Sequence, residues 1–258
     1  MFVDESLRGA LRPHWQRGQI GAGQVNERAD GVHLTIPEAS KAAYHDAQLT
    51  DYDPTRRDFR YQPPLRMSIT AYATTSDIKG TAGFGFWNHP FVPGERGVRL
   101  PQAVWFFFGS AENDMALAQG VPGNGWKAAT FNAQRAGFLA LLPAAPLGVL
   151  LMNSRPLYDA LWPIGQRAIG VHETALDIGL LREAHTYTLD WHKNGARFYV
   201  DGDKVLDAPD APQKPLGFIA WVDNQYAVVT PQGRFRFGLL DVPHEQALVV
   251  QHVSIQRL

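Results

Sequence analysis

Apolar and polar residues alternate along most of the chain, and the alternation predicts strands. In Leu65-Arg66-Met67-Ser68-Ile69-Thr70-Ala71-Tyr72 the apolar side chains take one parity and the polar ones the other. A strand reads this way when one face meets a core and the other meets solvent or a groove. Glycine and phenylalanine alternate over 80–87, and 103–108 is apolar on both parities, which suits a strand in the middle of a sandwich. The stretch 185–191 alternates again, with Tyr187, Leu189 and Trp191 opposite Thr186, Thr188 and Asp190. Asn194-Gly195 then predicts a hairpin turn with positive φ at both positions, a return strand over 197–200, and a second such turn at Asp201-Gly202. With 216–221 and 247–258 the pattern gives about ten strands, no βαβ rhythm and no internal repeat. The expected fold class is all-β and antiparallel.

Residues 133–178 break the pattern. Leucine, alanine and aromatic residues occur there at mixed spacing, cut by Pro143, Pro146, Pro156 and Pro163. The segment predicts a partly helical insertion on a β scaffold, since so long a loop without structure of its own is unusual. It packs over one end of the sandwich or forms a dimer contact, or else roofs the groove into an apolar pocket. The uncharged run 136–152 holds two prolines and falls short of the roughly 20 residues a spanning helix needs, so no membrane span is expected. No segment reads as a linker, and 1–258 is expected to be one domain.

Composition narrows the function classes. Charged residues make up 19% of the chain and the formal net charge is −1, so the overall balance gives no electrostatic case for nucleic acid or an anionic membrane as partner. The absence of cysteine removes disulfides, thiolate metal sites and cysteine nucleophiles. Gly (24) and Pro (18) are plentiful, in keeping with many turns. The first residues show no basic and apolar leader, which favours a cytoplasmic location.

His185-Thr186-Tyr187-Thr188-Leu189-Asp190-Trp191, followed by Gly195-Ala196-Arg197-Phe198-Tyr199-Val200-Asp201-Gly202, resembles the hairpin of family-16 glycoside hydrolases, members of the concanavalin A-like lectin/glucanase superfamily. Three further segments agree in order: 80–87, 127–132 with its Phe131-Asn132 pair, and 218–224. The closing strand 249–258 matches as well. The resemblance implies a jelly-roll sandwich of two curved antiparallel sheets, with a glycan groove on the concave side. It also implies a catalytic strand of pattern E-x-D-x-E, whose outer carboxylates serve as nucleophile and acid/base in a retaining mechanism.

The chain departs from the family at that strand. Aligned on Gly109, the catalytic positions fall on Gln102, Val104 and Phe106, none of them an acid. The weak catalytic candidates left are Glu112 and Asp114, in a polar turn, and His89, whose residue type titrates near neutrality. Glu173 and Asp177 are distant acids that could enter a site. Trp87, Trp105, Asn132, Trp221 and Asn224 are the candidate ligand-binding residues, aromatic rings to stack on a sugar and amides to meet its hydroxyls. His185 and His192 are expected to be structural. The structural calcium carried by many relatives is in doubt, because Gln251 stands where they have an acid. No histidine spacing predicts a metal site, and no cofactor fingerprint is present.

The sequence thus predicts a carbohydrate- or glycoside-binding protein without the family's retaining mechanism. Two alternatives stay open: an active glycoside hydrolase or lyase with relocated acids, and a binder or converter of an apolar small molecule under the insertion.

Overall fold

The computed structural model describes residues 2–91 and 99–258. The chain first forms β1 (Val3–Ser6), β2 (Gln16–Ile20), β3 (Gln24–Arg28), β4 (Gly31–Ile36), β5 (Asp46–Thr50), β6 (Leu65–Ala73), β7 (Thr81–Trp87), β8 (Gln102–Gly109) and β9 (Gly125–Asn132). Helices α1 (Ala136–Leu141), α2 (Ala145–Leu151) and α3 (Arg155–Ile169) follow. Then come β10 (His172–Leu176), β11 (His185–His192), β12 (Gly195–Val200), β13 (Asp203–Ala208), β14 (Gly217–Asp223), β15 (Gln225–Val229), β16 (Phe235–Leu239) and β17 (Gln246–Arg257).

Two antiparallel sheets make a sandwich. The back sheet runs β13-β12-β11-β6-β17-β4-β3, with β1 also on β17, and the front sheet runs β10-β9-β8-β7-β14-β5-β2. A separate ribbon pairs β15 with β16. Alternation decides which side chains fill the space between the sheets. From the back sheet come Leu65, Met67, Ile69, Tyr187, Leu189, Trp191 and Phe198; from the front come Phe84, Phe86, Val104, Phe106 and Trp126. Aromatic rings span the gap: Phe106 lies 5.1 Å from Tyr187 and 5.3 Å from Phe198, and Phe86 stacks on Trp191 at 5.5 Å.

The expected all-β jelly-roll sandwich is what forms, with more strands than the alternation revealed. Some of the additional ones are short and polar, such as β2, whose five residues are mostly exposed, so no apolar period marks them; β4 does alternate Val32, Leu34 and Ile36 with His33 and Thr35. The helical insertion is shorter than expected. Helix ends at Ile169, and β10 joins the front sheet as an edge strand paired with β9. The first hairpin turn also differs. His192 pairs directly with Gly195, so the loop is Lys193-Asn194, and Gly195 at φ +148° belongs to the return strand. A side chain at 195 would run into the Ala208 carbonyl. The second turn has positive φ at both Asp201 (50°) and Gly202 (91°), as its sequence predicts.

Candidate functional site

The strand β8 is apolar on both faces, and the structure shows which parity is which. Val104 and Phe106 point into the core, so Ala103, Trp105, Phe107 and Gly109 line the outer face of the front sheet. This corrects the register that placed Gln102, Val104 and Phe106 at the groove. Gln102 is likewise buried, donating from Nε2 to the Asn132 side-chain oxygen at 2.8 Å.

Strand pairing then assembles the outer face. Trp87, Ala103 and Phe131 form one row, Gly85, Trp105 and Ala129 the next, and Trp221, Gly83, Phe107 and Lys127 a third. Trp105 is the centre of an aromatic floor. Its ring stacks on Phe107 at 5.4 Å and lies 5.1 Å from Trp221, 5.7 Å from Phe131 and 6.2 Å from Trp87. Trp87, Trp105, Phe107 and Phe131 are half-buried, while Trp221 is 7% exposed and fixed by a 3.0 Å hydrogen bond from its Nε1 to Thr81 Oγ1. Two glycines give the rings their room. A Cβ at Gly83 would stand 2.8 Å from the Trp221 ring, and one at Gly85 would stand 2.6 Å from Trp105 Cβ. The Gly–Phe alternation of β7 therefore has a double use: phenylalanine faces the core, and the absence of side chains on the other face seats the indoles.

One row further along, the same face carries two carboxylates. Asp46 of β5 and Asp223 of β14 are register partners, and both are buried. Asp223 Oδ1 accepts from Thr81 Oγ1 (2.9 Å), Thr81 N (3.2 Å) and Gln225 N (3.0 Å), and Oδ2 accepts from the Tyr44 hydroxyl (3.4 Å). Burial pushes Asp223 up to about 6, against those hydrogen bonds, and burial together with the Asp223 charge pushes Asp46 well above the usual carboxylate range. Both carboxyls thus resist ionisation, and the charge of either one raises the cost of charging the other. Sequence inspection missed this pair. The two residues are 177 positions apart, each at the end of a short strand, and only the β5–β14 register brings them together.

The pair carries a stability prediction. Folded-state values raised above the unfolded 3.8 mean that this contribution is complete at low pH and is lost as pH rises through about 6. Asp46→Asn removes the group that resists ionisation and relieves Asp223. The variant should melt above the native protein at pH 8, by about 2–4 °C per kcal/mol recovered, with little difference at pH 4. Thermal unfolding followed across that range tests it; a variant less stable at pH 8 than the native chain would contradict the assignment.

Beside the aromatic floor the sheet is walled. Lys127 and Glu173, on β9 and β10, form a buried ion pair at 3.6 Å, and Lys127 Nζ also donates to the Met115 carbonyl at 3.4 Å. Burial draws Lys127 down and Glu173 up, while each charge opposes the shift of the other. Glu173 further accepts from Ala118 N, and Trp162 of α3 donates to the Leu117 carbonyl at 2.8 Å. The loop after β8 and helix α3 are thereby fastened to this edge.

The remaining sequence candidates are dispersed. Glu112 is exposed and lines a cavity of about 610 Å³ with Lys79, Tyr226 and Arg236. Asp114 instead accepts from Arg234 at 3.0 Å, beside a second cavity that does not include Glu112. The two do not converge on one reacting centre. His89 is buried, not solvated, with φ +41°. Trp87 Nε1 donates to the Tyr52 hydroxyl at 2.5 Å, which leaves the hydroxyl hydrogen for His89 Nδ1 at 2.9 Å. This chain steadies the Trp87 ring. Asn132 Oδ1 is taken by Gln102 and by Gln134 N. Asn224 departs from its expected ligand-binding place: fully buried, it accepts from His45 N and donates to the Ala43 and Leu240 carbonyls. An amide so buried and engaged is a clamp between loops, out of contact with solvent.

Asp177 caps the short helical turn after β10 by accepting from Gly179 N at 2.8 Å. His185 (2.5 Å from Asp201) and His192 belong to the back sheet. Gln251 accepts from Arg8 and donates to the Asp30 carbonyl. Among the described residues no three His, Asp or Glu side chains gather in a way that could hold a metal ion, and no helix is long and apolar enough to cross a membrane.

No protein-family model matches the sequence, and no curated protein matches it in sequence. Solved structures do match in fold. An endo-β-galactosidase from Clostridium perfringens aligns with a TM-score of 0.57 at 11% identity, over 99% of this chain and 62% of that one. A GH16 protein from the mixed-linkage glucan locus of Bacteroides ovatus, solved with a glucan product, aligns with a TM-score of 0.52 at 9% identity, over 99% and 100%. The exoplasmic/lumenal domain of VIP36, bound to Ca2+ and a mannose-containing glycan, aligns with a TM-score of 0.52 at 10% identity, over 98% and 88%. With its two antiparallel sheets, its expected hairpin and these neighbours, the chain has the concanavalin A-like jelly-roll fold shared by family-16 glycoside hydrolases and lectins.

Proposed function

We propose that the outer face of the front sheet binds a carbohydrate or glycoside and does not cleave it by the retaining mechanism of family-16 hydrolases. One observation carries the reading: Trp105 and its four ring neighbours pave the outward parity of β8 and the strands around it. A pyranose presents C–H groups on its faces, and these pack on indole and phenyl rings even where water reaches the edges. Ala103, Trp105 and Phe107 on this strand hold no group that can attack an anomeric carbon or protonate a leaving oxygen. Sugar-bound neighbours of the same fold support the ligand class. Titration of tryptophan fluorescence with β-glucan, galactan and mannan oligosaccharides tests the proposal. Saturable binding is expected, weakened about tenfold in Trp221→Ala; a native protein that binds none of the panel refutes it.

A second reading, catalysis by relocated acids, is favoured by one feature. Asp46 and Asp223 face each other across adjacent strands, in the same band of the sheet as Trp221, and burial raises both carboxyls above the usual range. Facing pairs on a sheet place their Cβ atoms about 4.5–5.5 Å apart, so the two side chains start from neighbouring points on one face. Their burial argues for a structural role. Turnover of the same oligosaccharides, abolished in both Asp46→Asn and Asp223→Asn with binding retained, would establish the enzyme.

A further inference from the structure

The aromatic floor is closed on two sides. Register carries its rows outward from β8: Trp105 and Ala129 are followed by Glu173 on β10, and Phe107 by Lys127 and then Ala175. Paired residues share a face of the sheet, so Lys127 and Glu173 stand on the outward side with the rings. Their side chains are nevertheless only 2% and 8% exposed. Residues 115–119 cover them. Lys127 Nζ donates to the Met115 carbonyl and Ala118 N donates to Glu173. Helix α3 holds the same segment, with Trp162 Nε1 on the Leu117 carbonyl and Gln166 Oε1 accepting from Gln119 N at 3.1 Å. Lifting this wall would leave a buried charge without its partner, which is strongly unfavourable.

The second closed side follows the row of Asp46, Asp223, Thr81 and Gly109. All four are buried. The Tyr44 hydroxyl sits on Asp223, and Asn113 lies over Gly109, where an added Cβ would stand 3.0 Å from the asparagine Cβ. Asn113 Oδ1 accepts from Ala227 N of the β15–β16 ribbon at 2.9 Å, and its Nδ2 donates to the Gly80 carbonyl at 3.2 Å. The loop after β8 therefore bends round a corner of the floor.

Each straight path over Trp105 in these directions ends at the corner. A glycan crossing the strands towards β10 meets the covered Glu173, and one running along β8 meets Asn113. One stacked on Phe131, Trp105 and Trp221 in turn reaches the buried Asp46–Asp223 pair. We propose that the floor receives the terminal units of a glycan, seated against this corner, and excludes the interior of a long chain. The inference rests on the carbohydrate reading above and deepens it by naming the part of the ligand that is recognised.

Calorimetric titration of the native protein with linear β-glucan, galactan and mannan oligosaccharides, from disaccharide to hexasaccharide, tests this. In the series that binds, affinity should change by less than about threefold from trisaccharide to hexasaccharide. A bulky label on one end of the hexasaccharide should weaken binding at least about tenfold, and the same label on the other end by less than about threefold. Affinity that keeps climbing to the hexasaccharide, or labels tolerated equally at both ends, overturns terminal recognition while leaving carbohydrate binding intact. A native protein that binds none of the panel refutes the carbohydrate reading and this inference with it. Lys127→Ala/Glu173→Ala unfastens residues 115–119 and should introduce a rise of at least about fivefold from trisaccharide to hexasaccharide. Circular dichroism verifies the fold of that variant, and the end-labelled series on the native protein decides the matter without it.

Discussion

Phe106→Ala is expected to cost about 3–5 kcal/mol of folding free energy, the usual range for deleting a buried phenyl ring. The ring is fully buried and touches Phe84, Trp126, Tyr187 and Phe198, so its loss leaves a void spanning both sheets. At about 2–4 °C per kcal/mol the melting temperature should fall by about 6–20 °C. Phe107→Ala, one position along, removes a half-buried ring from the outer face and should cost clearly less. Urea unfolding of both variants, with an unchanged slope, reads the contrast. If Phe107→Ala were the more damaging, the assignment of β8 parity would be reversed, and the aromatic floor with it.

Trp105→Ala should have the largest effect on ligand binding. Its indole lies against Trp87, Phe107, Phe131 and Trp221, so truncation removes the stacking surface and leaves its neighbours without lateral support. A loss of about tenfold to a hundredfold in affinity is expected, corresponding to about 1.4–2.8 kcal/mol. Cooperative unfolding should persist, because the ring faces away from the intersheet core. Calorimetric titration with an oligosaccharide that binds the native protein decides the matter. Unchanged affinity would remove the outer face from the binding surface.

The sequence shows the back sheet well because its strands alternate cleanly. β6 follows a strict buried/half-buried rhythm over nine residues, and the β11–β12 hairpin carries its own motif. β8 is harder to read for the opposite reason. Phenylalanine and tryptophan on both parities erase the period, and an alignment resting on Gly109 alone shifted the groove by one residue. A one-residue slip in a strand exchanges its two faces, so Val104 and Phe106 stood in for Trp105 and Phe107. Trp87, Trp105 and Trp221 lie together on the outer face of the front sheet, which the shifted register would have denied to Trp105. The Asp46–Asp223 pair was invisible, because neither aspartate has a local partner that marks it. Asn224 misled for a related reason: an amide at a strand end reads as available until the loops that consume it are in place.

The seats of Trp105 and Trp221 are made by atoms that β7 does not have. Gly83 and Gly85 present no side chain, yet a Cβ at either would run into the β8 backbone, Phe106 O at 2.3 Å or Val104 O at 2.5 Å, as well as the Trp221 ring or Trp105 Cβ. Mutational scans that rank positions by direct contact would pass over both, although the contour of the aromatic floor is encoded there as much as in the rings themselves. The pairing of β7 with β8 and the seating of the indoles therefore depend on the same two small residues, so a change at either would reach the aromatic floor while every aromatic residue remains intact.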